Sequence, residues 1–136
     1  MNIIKLRMQF AQLNGMDKIF VIDDDKNLLQ VMKSLLHLRG FNVSIFRNWE
    51  IAYQLMKLFK PQLILLDVFL KGIDGLEVCQ RLKASPFTKH IPIILCSGYP
   101  QIAERGIREY GAADFIAKPF ELDDLINKMH SVLSKR

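Results

Sequence analysis

Five short apolar runs, separated by segments of helical spacing, constrain this chain more than any other feature. The runs are Lys18–Asp23 (KIFVID), Asn42–Phe46 (NVSIF), Leu63–Asp67 (LILLD), Ile91–Ser97 (IPIILCS) and Asp114–Lys118 (DFIAK). Most are continuously apolar rather than alternating, as strands are when both faces of a parallel sheet are covered. The segments between them carry helical stripes. The first has Leu28, Met32, Leu35 and Leu36; the second Ile51, Leu55, Met56 and Phe59; the third Ile73, Leu76, Cys79 and Leu82. The last has Leu122, Leu125, Ile126, Met129, Val132 and Leu133. The fourth, near Tyr99–Tyr110, starts at Pro100 and contains Gly106, so it is expected to be the least stable helix. Gly40, Pro61, Pro86 and Gly111 mark the breaks, and Asp25 and Asn48 stand where helix caps belong. Strict strand–helix alternation implies a doubly wound α/β fold.

A length of 136 residues suits one domain with one hydrophobic core. Half the residues are apolar, yet no run approaches the roughly 20 residues that span a bilayer, so membrane insertion is not expected. Lys5, Arg7 and Gln9 interrupt any apolar centre near the start, so no secretory signal is read there. Cys79 and Cys96 have no metal-ligand or disulfide spacing and read as small buried hydrophobes in a reducing cytoplasm. The net charge of +5 is spread along the chain and reads as a solvated basic surface. Residues 1–15 stand apart as an extension, upstream or cloning-derived, because Met16-Asp17-Lys18 runs straight into the first strand and opens a domain of residues 16–136. Ile3, Leu6, Phe10 and Leu13 share one helical face, so this extension is disordered or a short helix that packs on the domain or on a partner.

Polar residues gather at one topological place. Asp23, Asp24 and Asp25 follow the first strand, Asp67 ends the third, Ser97 the fourth and Lys118 the fifth. The carboxyl ends of parallel strands line the crevice where ligands bind in such sheets. Each residue alone reads as a cap, a turn or a strand end; together they do not. Clustered carboxylates repel one another unless a cation neutralises them. Mg²⁺ suits an all-oxygen set, with Asp24 and Asp67 as direct ligands, Asp23 direct or through water, and a backbone carbonyl just beyond Asp67. His37, His90 and His130 are scattered and read as surface residues. The metal and Lys118 would offset charge on an incoming phosphoryl group, with Asp67 as a carboxylate acceptor.

These residues resemble the receiver domain of two-component response regulators, from about Asp17 to Leu133. The resemblance rests on VIDDD (Val21–Asp25), LILLDVFLKGIDGLEV (Leu63–Val78), IPIILCSG (Ile91–Gly98) and GAADFIAKPF (Gly111–Phe120). It implies a five-stranded parallel sheet of order 2-1-3-4-5, the flavodoxin-like receiver fold. It implies Asp67 as phospho-acceptor, and Asp23 and Asp24 as the acidic pair at Mg²⁺, with the Phe69 carbonyl as a further ligand. Lys118 would contact the phosphoryl group, and its peptide bond to Pro119 would be cis. Ser97 would be the switch hydroxyl, Phe115 the aromatic switch, and Gly98 would leave room beside the phosphoryl group. Lys71 departs from the usual proline. Phe69 and Tyr99 fall at the two variable positions flanking the phosphoryl group. Both are bulky and neither orients water, so they are expected to restrict hydrolysis.

The resemblance also implies partners: a sensor histidine kinase or a histidine phosphotransfer protein upstream. Downstream it implies an output partner, or self-association through the fourth helix, fifth strand and last helix. Such a domain promotes its own phosphorylation and dephosphorylation in the cytoplasm and is not a conventional turnover enzyme. These residues hold no helix-turn-helix, so direct DNA binding is not expected. The alternative is a receiver-like module that binds proteins without phosphorylation. An aspartyl phosphatase fits poorly, because Phe69 stands where its second carboxylate would be. A flavin domain fits poorly, because the acidic triplet would repel a phosphate.

Overall fold

All five apolar runs become strands of one sheet in the computed structural model of the chain, which describes residues 2–3 and 15–135. The strands are β1 (Lys18–Ile22), β2 (Asn42–Phe46), β3 (Leu63–Asp67), β4 (Ile93–Ser97) and β5 (Asp114–Ala117). All pair in parallel, in the order β2-β1-β3-β4-β5. The connecting helices are α1 (Lys26–Leu38), α2 (Trp49–Phe59), α3 (Gly75–Ala84), α4 (Pro100–Tyr110) and α5 (Leu122–Leu133).

Period-2 geometry sorts the strand side chains onto two faces. Ile19, Val21, Leu63, Leu65, Ile94, Cys96 and Ile116 pack with Leu29, Met32 and Leu36 of α1 and with Leu125, Ile126, Met129, Val132 and Leu133 of α5. Phe20, Ile22, Ile64, Leu66, Ile93 and Leu95 pack with α2, α3 and α4. Central β3 and β4 are buried at every residue, which is why their sequence reads as continuously apolar. Cys79 and Cys96 are free thiols in these two cores.

Four local expectations are corrected. β4 begins two residues later than the apolar run, after Pro92, which has no N–H to give the ladder. β1 and β5 stop one residue short of Asp23 and Lys118, so both side chains leave the sheet at its rim. The core stripe of α1 runs through Leu29 rather than Leu35, and that of α2 through Ala52 and Met56, leaving Ile51 and Phe59 exposed. Ile73 belongs to no helix; it pairs in a short antiparallel ribbon, Phe69–Leu70 with Ile73–Asp74, that turns through Gly72 at φ +76.

The caps follow the sequence. Asp25 accepts the backbone N–H groups of Asn27 and Leu28, and Asn48 those of Glu50 and Ile51. α4 runs unbroken through Gly106, and the glycine there has a packing reason. A Cβ at Gly106 would stand 2.2 Å from Leu95 Cδ1 and 3.0 Å from Leu76 Cδ2, so its absence lets α4 lie close on β4. Among the described residues no helix is long and apolar enough to cross a membrane. Most of the 1–15 extension lies outside the described residues.

Candidate functional site

Four strand ends bring the sequence-derived residues to one rim. Asp23 follows β1, Asp67 closes β3, Ser97 closes β4 and Lys118 follows β5. Asp23, Asp67 and Ser97 are buried, at 4 %, 8 % and 1 % exposure. Burying ionisable groups demands partners, and the partners are one another. Lys118 Nζ donates to Asp23 Oδ2 at 2.7 Å and lies 3.5 Å from Asp67 Oδ2. Asp23 Oδ1 accepts the Asp25 N–H at 2.9 Å, and Asp67 Oδ1 accepts the Phe69 N–H at 3.2 Å. The Lys118 N–H donates to the Ser97 carbonyl at 2.8 Å, extending the β4–β5 ladder by one bond before the cis Lys118–Pro119 peptide.

Asp24 is the sequence-derived ligand that does not join this pair. Its Oδ2 accepts the Lys71 N–H from the ribbon, and its carbonyl accepts Arg47 Nε at 3.1 Å. Among the described residues no group of three or more His, Cys, Asp and Glu side chains is placed to hold a metal ion. The donors at the rim are nevertheless all oxygen, and one ammonium faces two buried carboxylates. The imbalance shows in their protonation. Burial first, then the charge of Asp23, hold the Asp67 carboxyl above its ordinary range, against the pull of Lys118 and the Phe69 N–H. Burial alone would lower the Lys118 ammonium; the Asp23 hydrogen bond and the charges of Asp23 and Asp67 outweigh it and raise it. Burial pushes the nearby Cys96 thiol up to about 12, so it is no nucleophile.

Around this cluster stand the residues expected to control access and switching. The Ser97 hydroxyl accepts the Tyr99 N–H at 2.9 Å and reaches the Tyr99 carbonyl at 3.2 Å, spanning Gly98. Phe69 and Tyr99 meet edge to face, with ring centroids 5.2 Å apart, and both rings are more than half exposed. Phe115 is half-buried on β5, with Lys128 Nζ 5.6 Å from its ring centroid.

Gly75 was not singled out from the sequence. Its N–H donates to the Val68 carbonyl at 2.7 Å, and a Cβ there would stand 2.3 Å from the Asp67 carbonyl oxygen. The start of α3 thus presses directly on the backbone that carries Asp67. The signal was available: a glycine just after Asp74, which caps α3 by accepting the Leu76 N–H.

The chain matches the sequence profile of the response regulator receiver domain over residues 19–130. The response regulator MprA of Mycolicibacterium vanbaalenii is 30 % identical over 120 residues, which are 87 % of this chain and 51 % of that protein. The chain therefore spans about half the length of the curated relatives it matches. Among solved structures, the receiver domain of NtrX from Brucella abortus superposes with a TM-score of 0.80 at 29 % identity, covering 87 % of this chain and 99 % of that one. The receiver domain of a signal transduction histidine kinase from Syntrophus aciditrophicus gives 0.77 at 30 % identity, covering 88 % and 91 %.

Proposed function

Because the chain belongs to the response regulator receiver domain family, we infer that it takes a phosphoryl group onto Asp67 and serves as the switch of a two-component phosphorelay. The observation that carries this reading is the pair of buried carboxylates, Asp23 and Asp67, sharing the Lys118 ammonium at the carboxyl edge of the sheet. The donor is a phosphohistidine of a sensor kinase or of a phosphotransfer protein. An Asp67 oxygen attacks the phosphorus as the P–N bond breaks, and the donor imidazole, already protonated at its other ring nitrogen, takes the bonding electron pair and leaves as neutral histidine. Lys118 stabilises the transferring oxygens, since phosphoryl transfer is mainly positioning and charge stabilisation.

Asp23, Asp24, Asp67 and the Phe69 carbonyl would hold Mg²⁺, with Asp24 exchanging its Lys71 contact for the metal. The ion supplies positive charge that one lysine cannot, and it suits a set made only of oxygens. Gly98 leaves the space beside Asp67 open, while the rings of Phe69 and Tyr99 keep water from a productive approach. The phosphoryl group adds nearly two negative charges. Ser97 turns from its Tyr99 contacts toward these oxygens, Phe115 fills the space behind it, and the surface of α4, β5 and α5 changes its affinity for an output partner or for a second copy. This is signalling in the cytoplasm, with self-promoted phosphorylation and dephosphorylation, rather than turnover of a substrate.

Beryllofluoride, a phosphoryl mimic, tests the site without a kinase. With Mg²⁺ it should raise the melting midpoint of the parent and leave Asp67→Asn unmoved. An unmoved parent would favour a module that binds proteins without phosphorylation.

A further inference from the structure

The ribbon after β3 holds two of the carboxylates assigned to Mg²⁺ through its own N–H groups. Phe69 donates to Asp67 Oδ1 at 3.2 Å, and Lys71, in the turn of the ribbon, donates to Asp24 Oδ2. Arg47 Nε holds the Asp24 carbonyl at 3.1 Å. Asp24 is thus fixed at both its backbone and its side chain. Among the described residues no three acidic side chains are brought together to hold a cation.

We propose that the Lys71 N–H is a built-in competitor of Mg²⁺ for Asp24: the docked ribbon weakens the metal, and the metal undocks the turn. This rests on the Mg²⁺ site of the proposed function and names what regulates it.

The competition is one of position. A carboxylate has lone pairs enough for a metal and an N–H, but Asp24 turned to the ribbon does not converge with Asp23 and Asp67. Only molecules that have released Asp24 bind the metal well, so the apparent affinity falls by the fraction released. A net hydrogen bond of ordinary strength makes that loss roughly 2- to 10-fold. Reciprocity makes Mg²⁺ loosen the turn by the same factor. The ribbon therefore carries opposing groups two residues apart: the Phe69 carbonyl, a ligand of the proposed site, and the Lys71 N–H, which holds a ligand away.

The turn lets that N–H be deleted alone. Leu70 and Ile73 pair across it, and Gly72 has φ +76. Lys60 is the only non-glycine residue of positive φ among the described residues, so Lys71 has negative φ. Negative then positive φ at the two central positions is a type II turn, in which proline suits the first. Leu70, extended in the ribbon, is acceptable before a proline. Lys71→Pro keeps the turn and removes the N–H. Lys71→Ala removes the ammonium and keeps the N–H. Lys71 is exposed, so both variants leave the cores intact.

Calorimetry of Mg²⁺ binding to the full-length parent and both variants decides the matter. Lys71→Pro should bind roughly 2- to 10-fold more tightly than Lys71→Ala; both lack the ammonium, so the difference belongs to the N–H. In the parent, the Lys71 amide proton, deshielded by the Asp24 carboxylate, should move upfield in NMR spectra as Mg²⁺ is added. Equal affinities of the two variants, tighter binding by Lys71→Ala, or a Lys71 amide proton unmoved at saturating Mg²⁺ would overturn the proposal. No saturable Mg²⁺ binding by any of the three proteins would overturn the metal site itself, and the competition with it.

Discussion

Asp67 sets the electrostatics of the rim, and its protonation has a defined sign. The folded chain holds the Asp67 proton more tightly than the unfolded chain does, because burial and Asp23 disfavour the ionised form. Ionising it therefore costs folding stability. The cost is absent below the ordinary carboxyl value of 3.8, grows as pH rises from there to the raised folded value, and is full above that folded value. Asp67→Asn removes that cost while Lys118 keeps Asp23. Without metal the variant should melt above the parent at pH 7, and the gap should close as pH falls toward 4; thermal melts at both pH values check it. Lys118 has the opposite dependence. Its raised folded value gives stability that is full below 10.5 and lost as pH rises through the folded value. On the proposed function, Phe69 is the residue through which phosphoryl lifetime is tested. Phe69→Asn removes one ring of the edge-to-face pair and introduces an amide able to orient water, so the phosphorylated variant should lose its group several-fold faster than the parent in a mass-spectrometric decay.

At the scale of elements, α4 shows how packing outweighs propensity. Replacing a helical glycine by alanine ordinarily stabilises by about 0.5–1 kcal/mol. At Gly106 the new methyl would meet Leu95 at 2.2 Å, and overpacking costs about 1–3 kcal/mol. Gly106→Ala should therefore be net destabilising, lowering the denaturant midpoint instead of raising it. The same contrast marks what was legible in the sequence. The strands could be read because burial on both faces leaves a continuous apolar run, and the caps at Asp25 and Asn48 because their signal is local. The stripes of α1 and α2 misread at their edges, because Leu35, Ile51 and Phe59 are apolar without being buried. Gly106 read as a weak point, since a close approach between α4 and β4 leaves no local trace. The ribbon at Phe69–Asp74 was missed for a similar reason: two residues a side carry no periodicity.

Across the whole molecule, the site is a product of topology. Lys118 and Asp23 lie 95 residues apart in sequence and 2.7 Å apart in space, joined only because β1, β3, β4 and β5 end at one rim. That convergence could be read from strand order before any contact was seen. The placement of Asp24 against Lys71, and the pressure of Gly75 on the Asp67 backbone, depend on the loop after β3 and could not. Ser97, buried and tied to Tyr99, and Phe115, half-buried on the neighbouring strand, connect this rim to α4 and α5. The central claim is that Asp67 accepts a phosphoryl group, and intact-mass measurement tests it most directly. Parent and Asp67→Asn are incubated with acetyl phosphate, with and without Mg²⁺. The account predicts one phosphoryl adduct on the parent with Mg²⁺ and none in the other three samples; an adduct of equal yield on Asp67→Asn would contradict it.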